Sequence, residues 1–320
     1  MRINVSIFIM AALAAAAIGC NKASAPEPPF DPVVRVAPEV TPQTRGSYTT
    51  ENLNEFDLFI HSENSRYSYT NTKFTKNSSG EWEPARTMLW EGKDKGFKFL
   101  AVAPPLPKRD VALTETGEIF EFTVEEVQTA ESNASDLLWA GRGMSNDITP
   151  SNENYFEDGK LAFEFEHALS LLKVQLTLGT ELNHNGVPEN NPISELKING
   201  FKPTAQVGYG SLNTAGTASE IQAYQSVWTK AADKTKNCIA VFECIVIPQR
   251  MNNFTVNFVC GGKPYTYTAT LTKNGSSFSF MGGQAYTLPL TVGKDEVIMS
   301  KDGITAIPWV DGGSNDLETD

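Results

Sequence analysis

Short apolar runs of strand length, separated by polar turns, recur along most of the chain. Between residues 47 and 139 they read FDLFIH, RYSYTNTKF, TMLWEG, FKFLAVAP, EIFEFTVEEV and DLLWAG. Several keep a period of two: Phe97, Phe99 and Ala101 fall on one face of a run, with Lys98 and Leu100 on the other, as a pleated strand requires. Helical spacing is hard to find. The intervening NSSGEW, KDKG and TETGE are turn signals, so residues 47–150 read as a first, antiparallel sandwich domain. The longest polar stretch in the middle of the chain, MSNDITPSNENYFEDGK at 144–160, marks a boundary, and residues 151–320 form a second domain. In KLAFEFEHALSLLKVQLTLG, alternation at Leu161, Phe163 and Phe165 stops at HALSLL and resumes at Val174, Leu176 and Leu178. This predicts a strand, one helical turn or bulge, and a second strand. Further strands are predicted at SELKINGF, NCIAVFECIVIP, FTVNFVCG, KPYTYTATL, SFSFMGGQAYTLPLTV, EVIMS and ITAIPW. No unit of 20–50 residues repeats, which removes sequence support for solenoids and propellers. The pattern predicts an all-β protein of two unequal β-sandwich domains in tandem.

The N-terminus follows another logic. MRINVSIFIMAALAAAAIGC carries one basic residue and an apolar run from Ile3 to Ile18, short for a transmembrane helix and suited to an export signal over residues 1–19. Its end, Ala17-Ile18-Gly19-Cys20, resembles a lipobox, with cleavage between Gly19 and Cys20 and lipid on Cys20. A plain secretory peptide with Cys20 as a bystander is the alternative. NKASAPEPPFDP reads as an extended tether. VVRVAPEV follows, with Val33, Val34, Val36 and Val40 as the apolar positions of a short strand that Pro38 and Pro42 confine to an edge. Arg45-Gly46 then lies in a loop.

Composition narrows the function. The 320 residues suit roughly two domains of about 150 each. A formal charge of −12, from 38 acidic and 26 basic residues, works against any nucleic-acid partner, which needs a concentrated positive surface. Cys238, Cys244 and Cys260 lack the close pairing of a zinc site. If CIAVFECIVI and NFTVNFVC are hairpin partners about PQRMN, Cys238 and Cys260 fall nearly opposite and a disulfide is open to them; otherwise all three are buried free thiols. His61, His167 and His184 are isolated and form no H-x-x-x-H. GYGSLN at 208–213 is neither a nucleophile elbow nor a dinucleotide fingerprint and reads as a hairpin loop. The acidic EEVQTAESNASD reads as a solvated loop, and DGGSND as a turn rather than a calcium loop. No catalytic, metal or cofactor residues are expected, and an enzyme is disfavoured. Of Trp82, Trp90, Trp139, Trp228 and Trp309, each a candidate sugar-stacking platform, Trp139 and Trp309 end apolar runs and are assigned to cores; Trp82, in SGEWEP, is the one expected to be exposed.

Four stretches carry a family likeness: IGC at the lipobox, the segment ending TRG at 44–46, SDLLWA together with LAFEFEHALSLLKVQL, and the tail GITAIPWVDGGS. In this order the chain resembles the fimbrillins, precursors of the type V pili of Gram-negative anaerobes of gut and mouth. The resemblance implies two tandem β-sandwich domains of transthyretin-like, Greek-key type. It also implies a lipoprotein precursor exported to the outer membrane surface, whose N-terminal strand fills a groove until an arginine-specific protease cuts it away. A strand from a neighbouring fimbrial subunit then fills the groove by donor-strand exchange, and the fimbria serves adhesion to a host protein or glycan. Mapped here, Val33, Val34, Val36 and Val40 form the plug strand, Arg45 precedes the cut and Gly46 begins the mature subunit. Two departures stand out. Acidic residues after Cys20, which often accompany surface export, are nearly missing, with only Glu27 before Asp31. The donor candidates, Val297–Met299 and Ile304–Trp309, could equally complete the sheet of their own domain, and a subunit that keeps them at home would suit a tip or an anchor better than a stalk. A surface glycan-binding lipoprotein is the alternative function.

Overall fold

The computed structural model describes residues 30–40, 48–130, 133–183, 185–271, 276–301 and 303–309. Gly19, Cys20, Arg45, Gly46, His184 and the DGGSND stretch lie outside the described residues. Among the described residues the regular elements are β-strands and three short 3-10 turns, with no α-helix. In chain order the first nine strands are β1 (Val36–Val40), β2 (Glu55–His61), β3 (Tyr69–Lys76), β4 (Trp82–Pro84), β5 (Lys98–Ala103), β6 (Glu118–Thr123), β7 (Leu138–Ala140), β8 (Phe156–Glu157) and β9 (Lys160–His167). Next come β10 (Ser170–Leu178), β11 (Ile193–Asn199), β12 (Thr204–Gly208), β13 (Leu212–Ala215), β14 (Glu220–Gln222), β15 (Tyr224–Thr229) and β16 (Cys238–Val246). The chain ends with β17 (Arg250–Met251), β18 (Asn253–Cys260), β19 (Lys263–Thr270), β20 (Phe278–Ser279), β21 (Gln284–Val292), β22 (Val297–Met299) and β23 (Thr305–Pro308).

The first sheet runs β1-β9-β7-β5-β2-β3-β4, with β8 added to β9. Its pairs are antiparallel except β1 with β9, which are parallel. The alternation of β2 and β5 is real, but both of their faces are buried. Phe56, Leu58 and Ile60 of β2, with Phe99 and Ala101 of β5, face one core, which also holds Val34, Val36, Val40, Leu161 and Phe165. Phe59, Leu100 and Val102 face the other. Between these strands the buried Asp57 carboxylate accepts from Asn71 Nδ2, the Leu106 amide and Arg109 Nη1 at 2.9, 2.8 and 2.6 Å, so a charge inside the protein is fully engaged, as its burial requires.

The second core lies among the remaining sheets. One runs β15-β16-β10-β21, with β22 and β23 both on the far edge of β21; another runs β14-β11-β18-β19. A small sheet β13-β12-β6 carries a strand from early in the chain, bringing Phe122 and Val124 into the same core as Leu172, Val174, Leu196 and Ile198. The GYGSLN loop is the β12–β13 hairpin.

Three details differ from the sequence reading. The first sheet extends beyond the polar stretch at 144–160, because β9 belongs to it, and the chain changes sheet at Ala168-Leu169. HALSLL forms no helical turn: residues 167–172 are all buried, since a strand leaving one core for another has no solvent face to mark with polar residues. The proposed Cys238–Cys260 bridge is corrected. β16 pairs with β10 and β15, β18 with β11 and β19, so the cysteines belong to different sheets rather than to one hairpin. Cys238, Cys244 and Cys260 are buried free thiols; burial, with the neighbouring Glu243, pushes the Cys244 thiol up to about 12.

Candidate functional site

Val36 to Val40 lie opposite Leu161 to Phe165, residue for residue. The Leu161 amide donates to the Arg35 carbonyl at 2.8 Å, so residues 35, 37 and 39 turn their peptide groups toward β9, and 36, 38 and 40 turn theirs away. On that outward side Pro38 has no N–H, and the Val40 amide donates to Thr50 Oγ1 at 3.0 Å. Only Val36 keeps an outward main-chain donor that neither device removes, which is how an edge strand is blunted against stray pairing. The side chains point inward. Val34, Val36 and Val40 are 1%, 5% and 3% exposed, Pro38 is buried, and Arg35 and Glu39 are exposed. Val33 is partly buried and bridges Leu89, while the Val34 amide donates to Met88 O at 3.0 Å and the Trp90 amide to Pro32 O at 2.7 Å. All four valines thus contact the first sheet or its loop, which defines the geometry of the segment named as a plug. A cleft of about 790 Å³ is lined by β1, by Ala162–Glu164 of its neighbour β9 and by Trp82–Pro84 of β4, the strand at the other end of the sheet.

The two donor candidates lie against their own chain. β22 pairs with Leu290–Val292 and β23 with Gln284–Thr287, end to end along one edge of β21. Their solvent side is apolar in places, with Ile298 and Ile307 exposed. Trp309, after β23, is buried as expected, with its amide donating to Gly283 O at 2.7 Å.

A polar cluster that the sequence did not suggest joins these regions. His167 Nδ1 meets Asp136 Oδ1 at 2.7 Å with both side chains buried, Trp309 stacks on the imidazole with ring centroids 4.4 Å apart, and the Tyr48 amide donates to Asp136 Oδ2 at 3.4 Å. Burial, with the charges of Asp136 and Glu55, pushes the Tyr48 hydroxyl up to about 12. The cluster therefore touches the chain at Tyr48, two residues after Gly46 in sequence, and the last described residue, Trp309. His167 read as isolated and Asp136 as part of a solvated acidic loop; the available signal was an Asp directly before LLWA and a His ending an alternating run. The two motifs are sheet neighbours, with Leu138 opposite His167 and Trp139 opposite Glu166.

The other sequence candidates are more ordinary. His61 is only partly buried, 3.9 Å from Glu115. Among the described residues no three metal-ligating side chains converge. Trp90 and Trp139 are buried; Trp228 is half-buried, its Nε1 donating to Glu189 O. Trp82 is half-buried too, set edge-on to Phe56 at 4.9 Å, so it is not the exposed platform the turn sequence suggested.

Comparison with known proteins now adds to this geometry. The profile of the family described as Fimbrillin-like matches residues 43–309. The chain belongs to that family. Fimbrillin-like proteins are structural and adhesive rather than enzymatic, in keeping with the resemblance read from the motifs. Among solved structures, a candidate cell adhesion protein from Bacteroides ovatus aligns with a TM-score of 0.61 at 11% identity, covering 89% of this chain and 99% of that one. One from Bacteroides uniformis aligns with a TM-score of 0.56 at 18% identity, covering 86% and 98%. These establish a shared fold. The tip fimbrial protein Mfa3 from Porphyromonas gingivalis, with C-terminal truncation, aligns at a TM-score of 0.46 and 10% identity over 87% and 100%. A comparison with curated protein sequences gives no match.

Proposed function

We propose that this fimbrillin-like chain is a subunit of an adhesive cell-surface fimbria, made as a lipoprotein precursor and assembled by donor-strand exchange. The signal is cut between Gly19 and Cys20, Cys20 takes the lipid, and the outer membrane holds the precursor. An arginine-specific protease cuts between Arg45 and Gly46, freeing the segment with Val33, Val34, Val36 and Val40, and another fimbrial subunit supplies the replacement strand. The observation that carries the reading is the setting of β1: among the described residues its only sheet partner is β9, and its core side is apolar. Burying Val34, just before the strand, with Val36 and Val40 of β1 supplies roughly 5–8 kcal/mol of gross hydrophobic stabilisation, before ordering costs. That holds a strand while it is covalently attached and permits exchange once it is not. Because β22 and β23 occupy the edge of their own β21, a tip or anchor position suits the subunit better than the stalk.

The test is digestion of the precursor with an arginine-specific protease, followed by N-terminal sequencing and unheated SDS gels with candidate partner subunits. The expected result is a new terminus at Gly46 and an SDS-resistant complex that requires the cut. Trimming at Gly46 with no complex in the presence of any fimbrial subunit of the same organism would refute strand exchange.

A further inference from the structure

Two cavities lie on either side of the Arg142–Glu166 ion pair and share Trp139, Arg142 and Glu166 as walls. One, of about 400 Å³, continues to His167, Met281 and Trp309; the other, of about 550 Å³, continues to Asn154, Tyr155 and Phe163. Together they form a trough crossing the faces of β7 and β9, within the size range of small-molecule sites.

The chemistry of its centre is specific. The Arg142 guanidinium lies 4.5 Å from the centroid of the Trp139 ring, and its Nη2 is 3.4 Å from Glu166 Oε2, with the two side chains 43% and 62% exposed. So long and wet an ion pair holds the guanidinium only weakly, and an incoming ligand can displace it from the indole face. The displaced fork offers several donors in one plane beside a carboxylate that only accepts, with the Asn154 amide further along. His167, at the first end, has a buried Nε2 without a hydrogen-bond partner, unusual for a buried polar atom. Met281, 61% exposed on the rim, is the adaptable side chain such a wall can use.

With the guanidinium over it Trp139 is only 6% exposed; once the fork swings aside, the uncovered indole is an aromatic face ringed by planar donors and acceptors, which suits a sugar, whose C–H face is apolar and whose edge is hydroxyl. Other occupants fit worse. β7 is paired on both sides, with β5 and β9, so no open edge is available there for a peptide to extend as a strand. Glu164 and Glu166 line the trough with Arg142 on a chain of net charge −12, which opposes an anionic ligand.

We propose that this trough is a saccharide-binding site for a neutral oligosaccharide, which stacks on Trp139 and is held by Arg142, Glu166 and Asn154. The site is separate from β1 and works in the uncut monomer, so its test does not depend on polymerisation.

The experiment applies the full, uncut chain to an array of immobilised oligomers of glucose, galactose, mannose and N-acetylglucosamine, with sialylated and sulfated glycans alongside. The retained glycan is then titrated in solution against intrinsic tryptophan fluorescence. Expected are retention of at least one neutral oligomer, a saturable fluorescence change, and at least about tenfold weaker binding by Arg142→Ala and Glu166→Gln. Both positions are exposed, so unchanged melting curves will show that these variants fold. Trp82→Ala should bind as the parent does. Retention of no neutral glycan overturns the proposal, as does binding that survives both substitutions or is lost in Trp82→Ala. Failure of the ladder assay alongside retained glycan would refute strand exchange and leave this site standing.

Discussion

Replacing Val36 and Val40 with Ala tests whether β1 is held as the geometry argues. Each substitution removes two methyl carbons from a side chain that is at most 5% exposed. By the usual cost of lost burial plus residual cavity, each should destabilise by about 1–2 kcal/mol. The residues are four apart on one strand face, so the effects should nearly add, to about 3 kcal/mol. In the uncut chain this loss should appear in chemical denaturation. In the chain nicked after Arg45 the strand is a separate fragment, and 3 kcal/mol corresponds to roughly 100-fold weaker retention. Two measurements read it directly: co-elution of the N-terminal fragment on size exclusion, and hydrogen exchange at the Leu161 amide, whose acceptor is the Arg35 carbonyl. The Leu161 amide should lose protection as the fragment leaves, and faster in the double variant. Val33→Ala, at a partly buried site, should have a smaller effect. Equal retention and equal Leu161 protection in parent and double variant would refute the argument that valine burial holds the strand.

Three further outcomes follow from the interior. The hydroxyls of Tyr48 and Tyr209 and the thiol of Cys244 are pushed up to about 12 from ordinary values of 10.0, 10.0 and 9.0, chiefly by burial. Above pH 9 the folded chain therefore keeps protons that the unfolded chain loses, so stability is full below pH 9 and falls as the pH rises toward 12; a urea midpoint unchanged to pH 11 would contradict this. Asp57→Asn removes the charge facing Arg109 and sets an amide against donors from Asn71 and Leu106, and should cost about 2–3 kcal/mol by denaturation, the half-exposed Arg109 keeping it below a fully buried pair. Gly282→Ala would place a methyl carbon 2.4 Å from the Ala168 carbonyl oxygen, backbone against backbone at the change of sheet, and should lower stability by about 3 kcal/mol; a change under about 0.5 kcal/mol would show that the crossover can relax.

Alternation in LAFEFEH and LKVQLTL marked two strands because each pairs with neighbours over most of its length while turning alternate residues to a core. What alternation cannot carry is direction or neighbour. β1 and β9 are parallel, as are β10 and β21, and a period of two is identical in either sense. It also cannot tell a half-buried strand from one buried on both faces: in FKFLAVA the second face is occupied by Leu100 and Val102 of the larger core, and even Lys98 is largely enclosed, ion-paired with Glu115. The edge position of β1 was legible because Pro38 constrains a single chain locally. The Asp136–His167 pair was not, because its partners are 31 residues apart and meet only when β7 lies beside β9.

The two ends of the chain solve one physical problem in different ways. A sheet edge left bare recruits other strands; here β9 is covered by β1 and β21 by β22 and β23. The β1 position selects for inward apolar residues at every second place, as at Val34, Val36, Pro38 and Val40. β23 does not match that requirement: all four of its residues are exposed, and Ile307 is its only large apolar side chain besides Pro308. β22 is three residues long, with Ile298 turned to solvent. A strand able to replace β1 must therefore bring its own alternating apolar pattern. On the proposed mechanism that points to a donor from a different subunit, and to a chain that ends or begins a fibre more readily than it repeats within one.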